Sequence, residues 1–315
     1  MAAAEQSRTA AEIATQPGAW RRAAEAAADA AGVLPRPGER VAVTGCGTSW
    51  FMAQAYAALR EAAGQGETDA FAASEFPVGR AYDRVVAITR SGTTSEVLRL
   101  LDELRGRVPA TALTAAPDTP VVEAADHVAV LDWADEESVV QTRFATSALA
   151  LLRAALERHG EPPAGVKPVE RAAVDAELAV TQPLPESALT AEQWTFLGRG
   201  WTYGLALEAA LKMREAAGAW TEAYPAMEYR HGPIAVTGPG RVAWLLGSLP
   251  EGLSGDVAKV GGALIAESDC AATGERALDP MADLIRAQRL AVALAEAAGA
   301  DPDRPRNLTR SVILR

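Results

Sequence analysis

Glu208, Lys212 and Glu215 fall four and three residues apart in a stretch flanked by apolar residues. At about 3.6 residues per helical turn, those spacings bring all three to one helical face. A carboxylate held there can take a proton from carbon if burial raises its pKa toward neutrality. Lys212, one turn before Glu215, would oppose that rise or stabilise a developing enediolate oxygen. The competing reading is an ion-pair ladder, each pair contributing roughly 0.2–0.5 kcal/mol. Strong flanking apolarity disfavours a solvated face. Glu222, Glu228 and His231 follow downstream, and His231 could equally be a satisfied structural histidine.

A second chemistry lies in two hydroxyl-rich turns. Thr89, Ser91, Thr93, Thr94 and Ser95 crowd around Gly92, and Thr48 and Ser49 follow Gly45-Cys46-Gly47. Glycine lets backbone approach a ligand, helix starts offer free N–H groups, and hydroxyls add donors. That combination can cradle a phosphate without net positive charge. Ordinary helix capping by Ser and Thr is the alternative. Two similar turns in one half of the chain favour the ligand. Neither turn spells a dinucleotide fingerprint, and no Walker loop occurs. Cys46 reads as a small buried residue rather than a nucleophile. No His, Cys and carboxylate set has metal-ligand spacing, so neither metal nor cofactor is expected.

Apolar runs at 40–44, 85–89, 110–114, 128–131, 194–197, 241–246 and 263–266 read as buried strands. Helical patterns at 51–63, 95–105, 145–158, 204–217 and 281–298 separate many of them. The alternation implies α/β architecture with parallel sheets and helices on both faces. The hydroxyl turns and the turn before Glu208 each end a strand and open a helix, a weak internal echo. Ligands of such sheets bind beyond the carboxyl ends of strands.

The chain has 315 residues, enough for two domains of ordinary size. The Pro- and Gly-rich segment 160–168 marks their connection, dividing the chain into 1–165 and 166–315, with a bridging helix at about 169–179. A net charge of −11 argues against a broad nucleic-acid surface. No run of about 18 uncharged apolar residues predicts a membrane span. The segment 1–11 lacks the features of a signal peptide. Two cysteines, Cys46 and Cys270, fit a reduced cytoplasmic setting.

The ordered block Leu197-Gly198-Arg199-Gly200 through Ala206-Leu207-Glu208-Ala209-Ala210-Leu211-Lys212-Met213-Arg214-Glu215, then Glu222-Ala223-Tyr224-Pro225 to Glu228-Tyr229-Arg230-His231-Gly232-Pro233, resembles the sugar isomerase (SIS) family. Gly45-Cys46-Gly47-Thr48-Ser49, Ser91-Gly92-Thr93-Thr94, Pro305-Arg306-Asn307-Leu308 and the leader Glu12-Ile13-Ala14-Thr15-Gln16-Pro17 add to it. The nearest resemblance is to the isomerase half of glutamine:fructose-6-phosphate amidotransferase and to amino-sugar phosphate deaminases and isomerases. It implies two tandem SIS domains, each a mainly parallel, flavodoxin-like three-layer sheet flanked by helices.

The resemblance also implies roles. Cys46, Gly47, Thr48, Ser49, Thr89, Arg90, Ser91, Gly92 and Thr94 fall on sugar-phosphate loops, and Val139 on a backbone contact to the sugar. Glu215 falls on the base that moves a proton between C1 and C2, with Lys212 near the sugar oxygens and Glu208 beside it. His231 falls on a ring-opening histidine that enters from a partner subunit, implying a homodimer or larger homo-oligomer. The resemblance gives no nucleic-acid or membrane partner.

Three departures matter. No glutaminase domain is present in the chain, so glutamine-dependent synthesis is not expected. Arg310 replaces a Schiff-base lysine, and an always-protonated guanidinium is no nucleophile. Arg90 and Gln141 replace the family's usual Gln and Ser. Enediolate-type chemistry on a hexosamine 6-phosphate is therefore expected, ending in isomerisation, deamination or dehydration. The alternative is a non-catalytic sugar-phosphate regulator, which would keep Thr89, Ser91 and Thr94 without needing Glu215.

Overall fold

A computed structural model describes residues 6–266 and 277–314. Cys270 lies outside the described residues. The chain is α/β, with two parallel sheets flanked by helices. It divides into two compact units. One comprises the described parts of 15–137, 141–171 and 309–315; the other comprises those of 1–14, 138–140 and 172–308. The leading segment and the tail are thus assigned across a simple 165/166 boundary.

In the first unit the strands are β1 (Val41–Gly45), β2 (Thr68–Ala72), β3 (Arg84–Ile88), β4 (Ala110–Thr114) and β5 (His127–Val130). Their order is β2-β1-β3-β4-β5, all parallel. The chain moves from β1 outward to β2 and then back to β3 on the other side of β1. The adjacent carboxyl ends of β1 and β3 therefore form a topological switch point, where open α/β sheets leave a crevice for ligands.

Both hydroxyl turns leave the sheet there. Central strands β1, β3 and β4 are fully buried, as apolar runs covered on both faces require. Helix Ser95–Leu104 turns Val97, Leu100, Leu101 and Leu104 inward, the repeat of a one-sided apolar stripe. Helix Arg143–Glu157 packs against Gln16–Ala26. There the buried Trp20 donates from Nε1 to Thr146 Oγ1 at 3.0 Å, and truncating such a side chain to Ala costs about 3–5 kcal/mol.

The second unit holds β6 (Gln193–Gly198), β7 (Thr221–Pro225), β8 (Arg241–Leu246) and β9 (Ala263–Ala266) in the parallel order β7-β6-β8-β9. Helix Thr202–Ala217 follows β6 and packs on helix Pro280–Ala297. Asp279 caps the latter by accepting from the Met281 N–H at 2.9 Å, and Gly218 ends the former in the left-handed conformation. Asp283 Oδ2 accepts from Trp244 Nε1 at 3.0 Å, while its other oxygen pairs with Arg286 at 3.0 Å.

The seven expected strands are present within a residue or so of their expected bounds. Two further strands, β2 and β7, did not show in the sequence. Both pair on one side only and are half-buried along most of their length, so neither carries a continuous apolar run.

Candidate functional site

In the first unit the geometry begins with Gly45 at the end of β1. A Cβ there would lie 2.6 Å from Ser49 Cβ and 2.9 Å from the Ile88 carbonyl oxygen. Only glycine lets helix Thr48–Ala62 start so close to the strand. Gly92 has φ +63°, and a Cβ would meet Thr119 Oγ1 at 2.0 Å. Both turns therefore keep their backbone near the switch point. Gly47 and Thr94 occupy the N-cap positions of the two following helices; Gly47 has no side chain to cap with, and the Thr94 hydroxyl makes no capping hydrogen bond.

Thr48, Ser49, Thr89, Arg90 and Ser91 are buried, Cys46 and Thr94 are partly buried, and Gly47 is exposed. Ser49 Oγ donates to Gln141 Oε1 at 3.4 Å. Ser91 Oγ accepts from the Thr93 N–H at 3.3 Å and its hydroxyl at 3.0 Å. Thr89 Oγ1 is buried and has no hydrogen-bond partner among the described residues. A buried hydroxyl left so costs about 1–3 kcal/mol. Burial, and then the nearby Glu96 charge, pushes the Cys46 thiol up to about 11. It stays protonated at neutral pH and is no nucleophile.

Arg90 pairs with Glu136 at 3.4 Å, both side chains buried. Glu136 Oε1 also accepts from the Thr142 N–H at 2.6 Å, the Thr142 hydroxyl at 2.7 Å and the Arg143 N–H at 2.6 Å. It closes the start of helix Arg143–Glu157 and fixes Arg90 beside the hydroxyl turn. Arg310 donates to the Glu136 carbonyl and the Asp135 carboxylate, and its own carbonyl accepts from Arg90 at 3.4 Å. The tail continues onto the hydroxyl turn: Thr93 Oγ1 and Ser311 Oγ lie 3.0 Å apart, and the Ser95 N–H donates to the Val312 carbonyl at 3.1 Å. Arg310 is thus held as a bridge, a geometry its planar fork suits better than a lysine would.

In the second unit, helix Thr202–Ala217 carries Glu208, Lys212 and Glu215 on one face. Lys212 Nζ lies 3.4 Å from Glu208 Oε1 and donates a hydrogen bond to Glu215 Oε2. The Glu208 and Lys212 side chains are 1% and 2% exposed, whereas Glu215 is 21% exposed. Two members are therefore buried and the third opens to solvent. A solvated surface ladder would not look like this. Burying an ion pair is at best a small net stabilisation, so stability alone is a weak reason for the triplet. Burial lowers the pKa of neighbouring Arg214, with the Glu215 and Glu208 charges acting against that shift.

His231 is exposed on the turn Glu228–His231. Ser138 donates to the buried Glu12 carboxylate from its N–H at 3.3 Å and from its hydroxyl. The Val139 N–H donates to the Asp303 carbonyl at 3.1 Å. The roles of Glu136 and Glu12 went unseen in the sequence. Arg90 and Ser138, which they hold, are remote in the chain, and the run Glu136-Glu137 gives no hint that one member is buried. Among the described residues no group of three or more His, Cys, Asp or Glu side chains could hold a metal ion, and no helix is long and apolar enough to cross a membrane.

Residues 36–158 match the family model of the SIS domain. The glutamine–fructose-6-phosphate aminotransferase (isomerizing) of Xylella fastidiosa strain Temecula1 is 28% identical over 96% of this chain and 58% of its own length. The chain thus spans little more than half of the curated relatives it matches first. Among solved structures, glucosamine-6-phosphate deaminase from Thermotoga maritima superposes with a TM-score of 0.80 at 22% identity, covering 98% of this chain and 100% of that one. Tagatose-6-phosphate ketose/aldose isomerase from Escherichia coli gives 0.76 at 19%, covering 100% and 98%. These two likenesses show the fold.

Proposed function

We propose that the chain is an SIS-family enzyme acting on a hexosamine 6-phosphate; the match of residues 36–158 to the SIS domain model supports this reading. The parallel order of the second sheet, which repeats the outer-inner-inner path of the first, supports reading 166–315 as a second SIS domain. The hydroxyl turns at Thr48, Ser49, Thr89, Ser91 and Thr94 hold the phosphate with neutral donors. Gly47, Gly92 and Cys46 shape the turns. Arg90 and the bridged Arg310 supply fixed positive charge, and Val139 supplies a backbone contact.

The observation that carries the catalytic reading is the Glu208–Lys212–Glu215 triplet, with Glu215 alone reaching solvent. In the open-chain aldose, the Glu215 carboxylate takes the C2 proton. The C–H electron pair forms a C1–C2 double bond, and the carbonyl pair moves onto O1. The Lys212 ammonium stabilises that oxyanion, and Glu208 holds the lysine in place. Returning the proton to C1 gives the 2-imino ketose from an amino sugar; water then releases ammonia and fructose 6-phosphate. In an N-acetylated substrate the O1 pair can instead reform the carbonyl, the C1–C2 pair moves to form a C2–C3 double bond, and the C3 hydroxide leaves as water with the proton held by Glu215. Arg310 cannot form a Schiff base, so the proposed course is enediolate-type throughout. His231, exposed on its turn, is assigned to ring opening in the site of a partner subunit.

NMR of the protein with glucosamine 6-phosphate, N-acetylglucosamine 6-phosphate and fructose 6-phosphate in deuterated water tests this reading. Exchange of the C2 proton, with release of ammonia, a ketose or a dehydrated product, is expected for at least one hexosamine. Saturable binding with no C2 exchange in any of them would instead identify a sugar-phosphate sensor.

A further inference from the structure

The second sheet has a polar cavity at its amino end, opposite the carboxyl end from which helix Thr202–Ala217 springs. Its volume is about 290 Å³, and Glu192, Gln193, Trp220, Glu222, Val236 and Arg241 line it. Gln193 and Arg241 begin β6 and β8, and Glu222 is the second residue of β7. Trp220, just before β7, is 80% exposed. An indole left this open adds little to the core, and large exposed aromatics concentrate at binding sites.

Among the described residues, Glu222 Oε2 and Gln193 Oε1 are buried and have no hydrogen-bond partner, while the Tyr224 hydroxyl hydrogen-bonds the Glu222 carboxylate. Gln193 is oriented by its amide nitrogen, which donates to Thr195 Oγ1 at 2.9 Å. Arg241 directs its guanidinium to the Val236 carbonyl. Glu192 and Glu222 outweigh that single cation, so the lining is acidic on balance. Two buried oxygens with hydrogen-bonding capacity to spare, net negative charge and an open aromatic face all ask for the same occupant.

We propose that this cavity binds a small, unphosphorylated organic ammonium compound. Its ammonium donates to Glu222, and its carbon body lies on Trp220. Two carboxylates would repel a phosphate, so the ligand is distinct from the sugar phosphate assigned above. The proposal is independent of that assignment.

The test uses the full chain labelled with 5-fluorotryptophan and glucosamine as the ammonium probe. Trp220 is assigned by the 19F signal lost in Trp220→Phe, and the other six tryptophans report that each variant is folded. Glucosamine with its amine protonated should move the Trp220 signal saturably. N-acetylglucosamine, the same ring without the charge, should bind about tenfold more weakly, and Glu222→Gln should weaken glucosamine by about tenfold, as loss of a charge-assisted hydrogen bond predicts. An immobile Trp220 signal, an equal response to both sugars, or an unaltered response in Glu222→Gln would overturn the proposal. So would a Trp220 signal that changes with protein concentration alone, which would show this face to be covered by a second copy.

Discussion

Lys212 and Glu215 are joined ammonium to carboxylate across one turn of helix Thr202–Ala217, and only the glutamate of the pair reaches solvent. The lysine fixes the carboxylate's direction. Glu215→Gln keeps the shape and removes the proposed base. It should lower turnover of a hexosamine 6-phosphate by about 10²–10⁴-fold and abolish C2–H exchange in deuterated water, with substrate affinity changed little. Exchange at the wild-type rate would take Glu215 out of the mechanism.

Lys212 has a structural duty as well, because Glu208 is buried beside it. Lys212→Met leaves a buried carboxylate without its cation, a change that costs roughly 3–5 kcal/mol when a buried pair is broken. Adding Glu208→Gln should restore much of that stability while activity stays low. Urea unfolding of the single and double variants measures the coupling. Additive losses would mean that the two side chains do not depend on one another.

Thr89 offers a cleaner separation of fold from function. Its hydroxyl is buried and has no hydrogen-bond partner among the described residues. Thr89→Val should therefore leave thermal stability unchanged or raise it by up to about 1 kcal/mol. Affinity for a phosphorylated sugar should fall about fivefold, the loss of one hydrogen bond. Calorimetry of unfolding and of binding on the same variant reads both. Reduced stability with unchanged affinity would make the hydroxyl a structural one.

The sequence carried the central strands because both faces are covered and the apolar runs are continuous. It carried Glu208, Lys212 and Glu215 because helical spacing is local. β2 and β7 were hidden, since Thr68-Asp69-Ala70-Phe71-Ala72 and Thr221-Glu222-Ala223-Tyr224-Pro225 mix polar and apolar positions at the sheets' margins. The bridge formed by Arg310 was hidden for another reason. Its partners, Asp135 and Glu136, lie far earlier in the chain, and no local pattern marks a guanidinium for a carbonyl so distant. The same holds for Ser95 and Val312, where backbone rather than side-chain chemistry makes the link.

Asp303 ties the start of helix Arg8–Ala14 to a distant part of the chain. Its carboxylate accepts from the Thr9 N–H and hydroxyl, each at 2.7 Å, and from the Arg8 N–H at 2.9 Å. Burial alone would raise its pKa, but these hydrogen bonds outweigh burial and lower it. A carboxyl with a depressed folded pKa stabilises above its unfolded value, near 3.9, and loses that contribution as pH falls through the folded value. Asp303→Asn should cost about 1 kcal/mol at pH 7, because the neutral amide loses the charge assistance and has one acceptor oxygen for three donors. The gap between variant and wild type should narrow below about pH 4, where the unfolded chain's carboxyl takes up its proton, and close as pH falls through the lower folded value. Urea unfolding at pH 7 and pH 3 compares the two, and a gap that widens in acid would contradict the assignment.

His231 sits exposed on the turn Glu228–His231, where it is available to a second subunit. If it completes a partner's site, His231→Ala and Glu215→Gln should each be nearly inactive alone yet complement one another. In a dimer mixed from the two, one site keeps Glu215 and receives His231 from the other chain. Random reassociation of equal amounts should then recover roughly a quarter of wild-type activity, since half the dimers are mixed and each has one intact site. Co-refolding followed by an ammonia or ketose assay measures it. Activity no higher than the average of the two parents would place His231 and Glu215 in the same chain's site.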